Sequence, residues 1–245
     1  LVSEPRSSRR DAAAARGAVV LLAVVLYAGT LGHGFVYDDE VVIQTQDVVR
    51  SHRFLDAFTT PYHGSSDRVV DTGLYRPLTI LSFAAQHALH DGRPLAFHAA
   101  NVAVHALASL LVFELALALS VPLAGAFGAG ALFAAHPVHV EAVAGIAGRA
   151  ELLSTVFYLS ALIAFVRLRG PVRHVTTAAL VFLALLCKES AVTFPAAAFG
   201  WELVVRRDGD VSMAAFLKNN RRALSASAVA VLLPIALMLV IRKAV

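Results

Sequence analysis

Residues 17–40 read GAVVLLAVVLYAGTLGHGFVYDDE. No Asp, Glu, Lys or Arg interrupts the run from Gly17 to Phe35, and then Asp38, Asp39 and Glu40 follow in a row. A helix crossing the hydrocarbon core of a bilayer needs roughly 20 mostly apolar residues, so the run has the length and character of a membrane span. Arg6, Arg9, Arg10 and Arg16 precede it. The apolar stretch is too long for a cleavable signal peptide, and no small-residue cleavage site follows it. The three carboxylates admit two readings. They are either a charged collar that ends a span, or a reactive cluster at the water–lipid boundary.

The rest of the chain decides that it is a membrane protein. Its 245 residues are 58% hydrophobic and 16% charged, with mean hydropathy +0.70. Soluble domains sit nearer 45–50% apolar and about 25% charged. We therefore expect an all-α polytopic transmembrane bundle. About seven candidate spans meet the apolar-run criterion: Gly17–Phe35, Phe97–Leu119, Pro122–Ala135, Leu152–Val166, Thr176–Leu186, Ala191–Val205 and Leu224–Ile241. Residues 1–16 read as a cytoplasmic tail and 17–245 as the membrane module. The single cysteine, Cys187, excludes an intrachain disulfide and reads as a packing residue.

Lys and Arg between spans fix orientation, cytoplasmic loops carrying the excess. With the N-terminus inside, the fourth span ends at Arg167, Arg169 and Arg173, and the sixth at Arg206 and Arg207, followed by Lys218, Arg221 and Arg222. The short outer connections carry only Arg149 and Lys188. Residues 36–96, with Arg50, Arg53, Arg68, Arg76 and Arg93, form an outer loop too long to weigh in that count. The alternation sets the acidic cluster, the segment HPVHVEAVAGIAGRAE (136–151) and the segment CKES (187–190) on one exoplasmic side.

The long loop has structure of its own. SHRFLDAFTTPYHG (51–64) reads as a short amphipathic helix with Phe54, Leu55 and Phe58 on one side. In YRPLTILSFAAQHALHDG (75–92), Pro77 marks a helix start, the apolar run is too short to span, and DGRP breaks it. Two such helices in the interface plane would shape a cavity.

Each candidate site group has a bland counterpart. Adjacent carboxylates at 38–40 repel, which raises at least one pKa and suits a general base; they could equally hold a cation that neutralises phosphate. His136, His139, Glu141, Arg149 and Glu151 suit hydrogen bonding to a sugar or phosphate. His136 and His139 have i, i+3 spacing, but there is no HExxH and a zinc site needs further ligands. No cofactor is called for, and a divalent metal is the one alternative left open. Lys188 and Glu189 read either as an interfacial ion pair or, for Lys188, as a point charge for a phosphate leaving group. His98, Asn101 and His105 share a helical face, where polar groups serve interhelical hydrogen bonds or line a substrate cavity. Glu114 lies near the cytoplasmic end of the same span and can reach the interface. No GxGxxG, P-loop or basic patch with interleaved aromatics is present, so neither a nucleotide-linked donor nor nucleic acid has a seat.

FVYDDE, YRPLT, FHAANVAVHAL, HPVHVEAVAGIAGRAELL and LLCKES occur in this order between Gly34 and Trp201. As an ordered set they resemble the amino-terminal membrane module of the transmembrane O-mannosyltransferases that target cadherins. They are also similar to related bacterial tetratricopeptide-repeat membrane proteins and, more distantly, to GT-C glycosyltransferases. The resemblance implies transfer of a sugar, mannose, from a polyprenyl-phosphate carrier to a Ser or Thr hydroxyl of a protein, with inversion. On this sequence the acidic motif falls on Asp38 and Asp39, with Glu40 a supporting or structural neighbour. The HPVHTEAV stretch falls on His136 to Val143, with Val140 where Thr is usual. The GRAE and KE elements fall on Gly148 to Glu151 and on Lys188 and Glu189. The implied roles are a base in Asp38 or Asp39 and phosphate-binding cations in Arg76, Arg149 and Lys188. Glu40, His98, Asn101, His136, His139, Glu141, Glu151 and Glu189 would contact sugar or acceptor. The implied location is the bacterial inner membrane with the site facing the periplasm, or the endoplasmic reticulum lumen in a eukaryote.

GT-C enzymes commonly have more spans; tetratricopeptide repeats are expected beyond Val245, and with no acceptor-binding domain in view the chain is expected to be an incomplete enzyme whose acceptor specificity is carried elsewhere. The competing class is a transporter or a non-catalytic membrane scaffold, although no paired broken-helix repeat points to one. The enzyme reading expects Asp38 or Asp39 to lie across one cavity from Arg149 and Lys188, and it loses most of its support if these groups point to different faces.

Overall fold

The computed structural model of the chain describes residues 6–63, 73–205 and 212–244. Arg68, Arg206 and Arg207 lie outside the described residues. Among the described residues all regular structure is helical. In chain order the α-helices are α1 (Arg6–Tyr27), α2 (Asp47–Ser51), α3 (Pro77–His90), α4 (Pro94–Ala118), α5 (Leu123–Ala135), α6 (Val140–Ala144), α7 (Arg149–Arg167), α8 (Gly170–Cys187), α9 (Phe194–Gly200) and α10 (Met213–Ala244).

Five segments are long and apolar enough to span: Arg9–Gly32, which continues α1, and α4, α7, α8 and α10. A sixth is a bent pair, α5 with Pro137–Ala144, turned by 45° at the break. This makes the chain an integral multi-pass membrane protein. Two expectations need correction. Residues 6–16 are not a free tail but the first turns of α1, as the helix-favouring Ala12–Ala15 run allows. The run Ala191–Val205 is not one span. It divides into a tight turn at Glu189–Thr193, the seven-residue α9 and a wide turn at Trp201–Val205. Pro195 stands in the first turn of α9. Lacking an N–H, it cannot continue a helix begun at Glu189.

Proline also opens α3, α4 and α8 in their first turns, where its missing N–H would be unpaired anyway. Asp91 (φ 51°) and Gly92 (φ 66°) then reverse the chain between α3 and α4. α4 stands centrally, with α1 and α5 on one side and α7 on the other; α7 packs on α8, and α8 on α10. Where α1, α4 and α5 meet, a Cβ on Gly130 would lie 3.1 Å from the Phe113 Cβ and 3.2 Å from both the Ser109 carbonyl and Val19. Close approach through small residues holds helices together where lipid removes the hydrophobic drive.

The long loop folds onto one end of this row. α3, at about 21 Å, is too short to cross a hydrocarbon core of about 30 Å. Its Ile80, Phe83 and Ala84 pack with Val42, Ile43, Phe97 and Ile146. Phe54, Leu55 and Phe58 are exposed, on a tight 54–58 turn rather than an α-helix. At the opposite end, Glu114 of α4 joins Arg16 of α1 at 2.5 Å and Arg167 of α7 at 3.4 Å. The bundle therefore has a basic pole and a site pole.

Candidate functional site

At the site pole a cavity of about 420 Å³ opens between residues 36–39, residues 62–63, residues 74–76, α6, the 145–148 turn and the start of α7. Asp38, Asp39, Arg76, Glu141, Glu151 and Lys188 all line it.

The two aspartates face different surroundings. Asp38 is exposed to the cavity. Asp39 is 2% exposed. The Ala147 N–H donates to its Oδ1 at 2.8 Å, and the Val36 N–H approaches its Oδ2 at 3.4 Å. Burial pushes the Asp39 carboxyl above its ordinary pKa, and those N–H groups and the nearby His98 offset only part of that rise. Asp39 thus fastens the first loop to the 145–148 turn. Glu40 is exposed, begins a wide turn at Glu40–Thr45 and does not line the cavity.

The cations arrive paired. Arg76 binds Glu189 through two hydrogen bonds, of 2.6 and 3.1 Å, and its guanidinium lies 5.0 Å from the Tyr62 ring centre. Burial alone would lower the Arg76 pKa, but the Glu189 bond and charge outweigh it and raise it. Burial likewise works against ionisation of Glu189, yet the Arg76 bond brings its pKa below the ordinary value. Lys188 pairs with Glu151. The consecutive residues Lys188 and Glu189 thus tie the end of α8 to α7 and to the long loop.

Arg149 does not line the cavity. It is 3% exposed and donates to Asn101 Oδ1 at 2.9 Å, to Gln86 Oε1, and to the Phe97 carbonyl at 2.8 Å. Its guanidinium sits 4.8 Å from the Phe83 ring centre and 5.5 Å from that of Phe97. Asn101 passes the link on, donating to the Gly145 carbonyl at 2.9 Å. Instead of facing Asp38, Arg149 braces the turn behind the cavity. Gly148 lets that turn cross α6, because a Cβ there would lie 2.3 Å from the Ala142 carbonyl oxygen.

The histidines scatter. His98 is buried, its Nε2 facing the Gly34 carbonyl at 3.4 Å. His136 accepts from the Val138 N–H, and the His139 ring lies tilted against Phe133, with centroids 4.2 Å apart. Neither lines the cavity, and among the described residues no three His, Cys, Asp or Glu side chains converge to hold a metal ion.

Sequence reasoning missed Tyr37, Tyr62, His63 and Gln86. Tyr37 is a cavity-lining residue with φ 49°, a conformation that non-glycine residues adopt at a cost and that clusters at functional sites. Tyr62 is buried and its hydroxyl donates to the Ala147 carbonyl at 3.4 Å. Burial lowers the His63 pKa, opposed by Asp38, so the imidazole is neutral near pH 7. Only the Tyr37 neighbourhood carried a sequence signal, because it abuts the acidic motif.

Fold and cavity define a multi-pass helical membrane protein with a charged pocket at one pole. No family model matches the chain, and no solved structure matches it. Among curated proteins it is similar to protein O-mannosyl-transferase Tmtc1 of Drosophila melanogaster, 40% identical over 193 residues, covering 76% of this chain and 22% of the relative. Protein O-mannosyl-transferase Tmtc2 of the same organism is 39% identical over 186 residues (70% and 20%). Human protein O-mannosyl-transferase TMTC3 is 34% identical over 185 residues (71% and 20%). The chain is thus a homologue of this protein O-mannosyl-transferase family, the group its ordered motifs resemble. It spans 20–22% of the length of these relatives.

Proposed function

We propose that the chain is the membrane module of a GT-C-type glycosyltransferase that moves mannose from a polyprenyl-phosphate carrier to a protein Ser or Thr hydroxyl, on the exoplasmic side. The observation that carries this is the cavity itself: an exposed carboxylate, Asp38, shares one pocket with the cations Arg76 and Lys188. The family relationship supports the sugar and the acceptor class.

A hydroxyl is a weak nucleophile. In this reading Asp38 takes its proton as the oxygen bonds to the anomeric carbon. The bond from that carbon to the phosphate oxygen breaks on the opposite face, giving inversion, and polyprenyl phosphate leaves with the electron pair. Arg76 and Lys188 stabilise that departing charge, as preorganised cations do in a water-poor site. Asp39, with both oxygens turned to backbone N–H groups, positions Asp38. Glu141 and Glu151, on the same wall, are placed to accept hydroxyl hydrogen bonds from sugar or acceptor.

The test is transfer of labelled mannose from a polyprenyl-phosphate donor to a Ser/Thr peptide by the protein in lipid nanodiscs. Mannosylated peptide, lost in Asp38→Asn, is the expected result. Neither product nor donor binding in the native protein would overturn the proposal.

A further inference from the structure

A second cavity, of about 580 Å³, lies towards the basic pole between the 194–205 segment and the first half of α10. The reaction proposed above makes no use of it. Its walls are mostly apolar, with Phe165, Ala198, Phe199, Leu217, Leu224 and Leu232 prominent. Glu202 also lines it, but that carboxylate is 2% exposed and neutralised by Arg173 of α8 at 2.5 Å. Phe199, Leu217 and Leu232 are 56%, 41% and 53% exposed, so the cavity opens sideways at the depth of a spanning helix. An apolar opening of this kind offers water few hydrogen-bond partners, and hydrocarbon fills it better.

The mouth is basic. Arg221 stands four residues after Leu217 and three before Leu224, which sets it on the cavity-lining face of α10. Lys218 is one turn earlier. Both are exposed, and neither makes an ion pair with a described residue. Basic residues at the end of a span attract anionic headgroups.

We propose that this cavity seats one acyl chain of an anionic phospholipid, with the headgroup phosphate held by Arg221 and Lys218. The apolar walls explain the chain, and two cations without an ion-pair partner among the described residues explain the charge. This cavity shares no lining residue with the one that holds Asp38.

The chain's one tryptophan, Trp201, adjoins the cavity-lining Glu202 and reports on occupancy. The protein is reconstituted in phosphatidylcholine nanodiscs with rising fractions of phosphatidylglycerol brominated on its acyl chains, or of brominated phosphatidylcholine. Quenching of Trp201 at lower fractions of the phosphatidylglycerol is the expected result. Lys218→Gln or Arg221→Gln should shift the midpoint about fivefold, and both together on the order of thirtyfold. Ala228→Phe, at an exposed lining position, narrows the cavity without touching charge and should abolish the selective quenching. Native mass spectrometry of the unsubstituted protein should retain one phosphatidylglycerol in preference to phosphatidylcholine. Equal quenching by the two lipids overturns the proposal. So does quenching by neither, which would mean another occupant, and so does an unchanged response in Ala228→Phe or in the doubly charge-neutralised variant.

Discussion

Arg149→Ala separates a brace from a ligand. The buried guanidinium supplies hydrogen bonds to Asn101 Oδ1, Gln86 Oε1 and the Phe97 carbonyl. The Phe97 carbonyl keeps its helical partner, so truncation strands two side-chain acceptors. A buried acceptor left without a donor costs about 1–3 kcal/mol. Loss of the cation's contact with the Phe83 and Phe97 rings adds roughly 0.5–2 kcal/mol. The sum is about 2.5–8 kcal/mol, towards the low end because Gln86 is only half-buried, and for a chain of this size the melting temperature should fall by on the order of 10 °C. Asn101 would also lose its tether while holding the Gly145 carbonyl, so the cavity wall should loosen along with the fold. The assay is thermal unfolding in nanodiscs alongside donor binding. Arg149→Lys should recover only part of the loss, because an ammonium cannot reproduce the guanidinium fork. Lys188→Gln is the control: its pair is on the surface side, with Glu151 half exposed, and it should weaken donor binding with little change in melting. If Arg149→Ala melts within a degree or two of the native protein while donor binding disappears, Arg149 is a ligand and the bracing argument fails.

Asp38→Asn should lower transfer by 10²–10⁴-fold, a typical range for a general base, at an unchanged melting temperature; retained transfer would remove Asp38 from that role. Asp39→Asn tests linkage. Burial raises the Asp39 pKa in the fold, so the folded protein holds this proton more tightly than the unfolded chain. Stability therefore declines as pH rises from about 4 through the raised folded value, then levels off; in pH-dependent melting that decline should vanish in the asparagine variant. Gly148→Ala forces a Cβ to 2.3 Å from the Ala142 carbonyl oxygen, so the turn must move, and melting and donor binding should fall together. Glu114→Gln releases Arg16 and Arg167; both arginines are partly exposed, so the loss read by melting should stay near 1 kcal/mol.

The helical membrane class was legible because the signal is bulk composition and run length, which lipid imposes directly. The helix start at Pro77 and the break at Asp91–Gly92 were legible for the same local reason: a missing N–H or a reversed φ acts on its own residue; the starts of α4 and α8, at Pro94 and Gly170, lie several residues before the apolar runs that were read as spans. The run 191–205 shows the limit. Its hydropathy matches a span, but Pro195 and the pairing of Lys188 and Glu189 break it into three pieces. Site residues divide in the same way. Asp38, Glu141, Glu151 and Lys188 could be picked from motif and sidedness. Nothing in the order of residues separates exposed Asp38 from buried Asp39, because that difference is made by the Ala147 N–H, 108 residues away. The burial of Arg149 was not legible for a related reason. An arginine at the outer end of a span looks like an anion ligand until Gln86, Asn101 and the Phe97 carbonyl are seen to close around it.

The pairing of the cavity cations bears on how an anion could enter. Arg76 is 12% exposed and its partner Glu189 is 45%; Lys188 is 22% and Glu151 is 52%. In both pairs the cation is the more enclosed member and the carboxylate the more hydrated one. An arriving phosphate therefore need not draw a cation out of its seat. It can take the place of a carboxylate that returns to water at small cost, since half-exposed ion pairs contribute little net stability. The pairing avoids two uncompensated cations in a partly buried pocket. Glu151, once displaced, stays on the cavity wall and Glu189 beside it, where a sugar or an acceptor hydroxyl would lie in the proposed reaction. The same two carboxylates can so hold the cations ready before binding and accept hydroxyl hydrogen bonds after it.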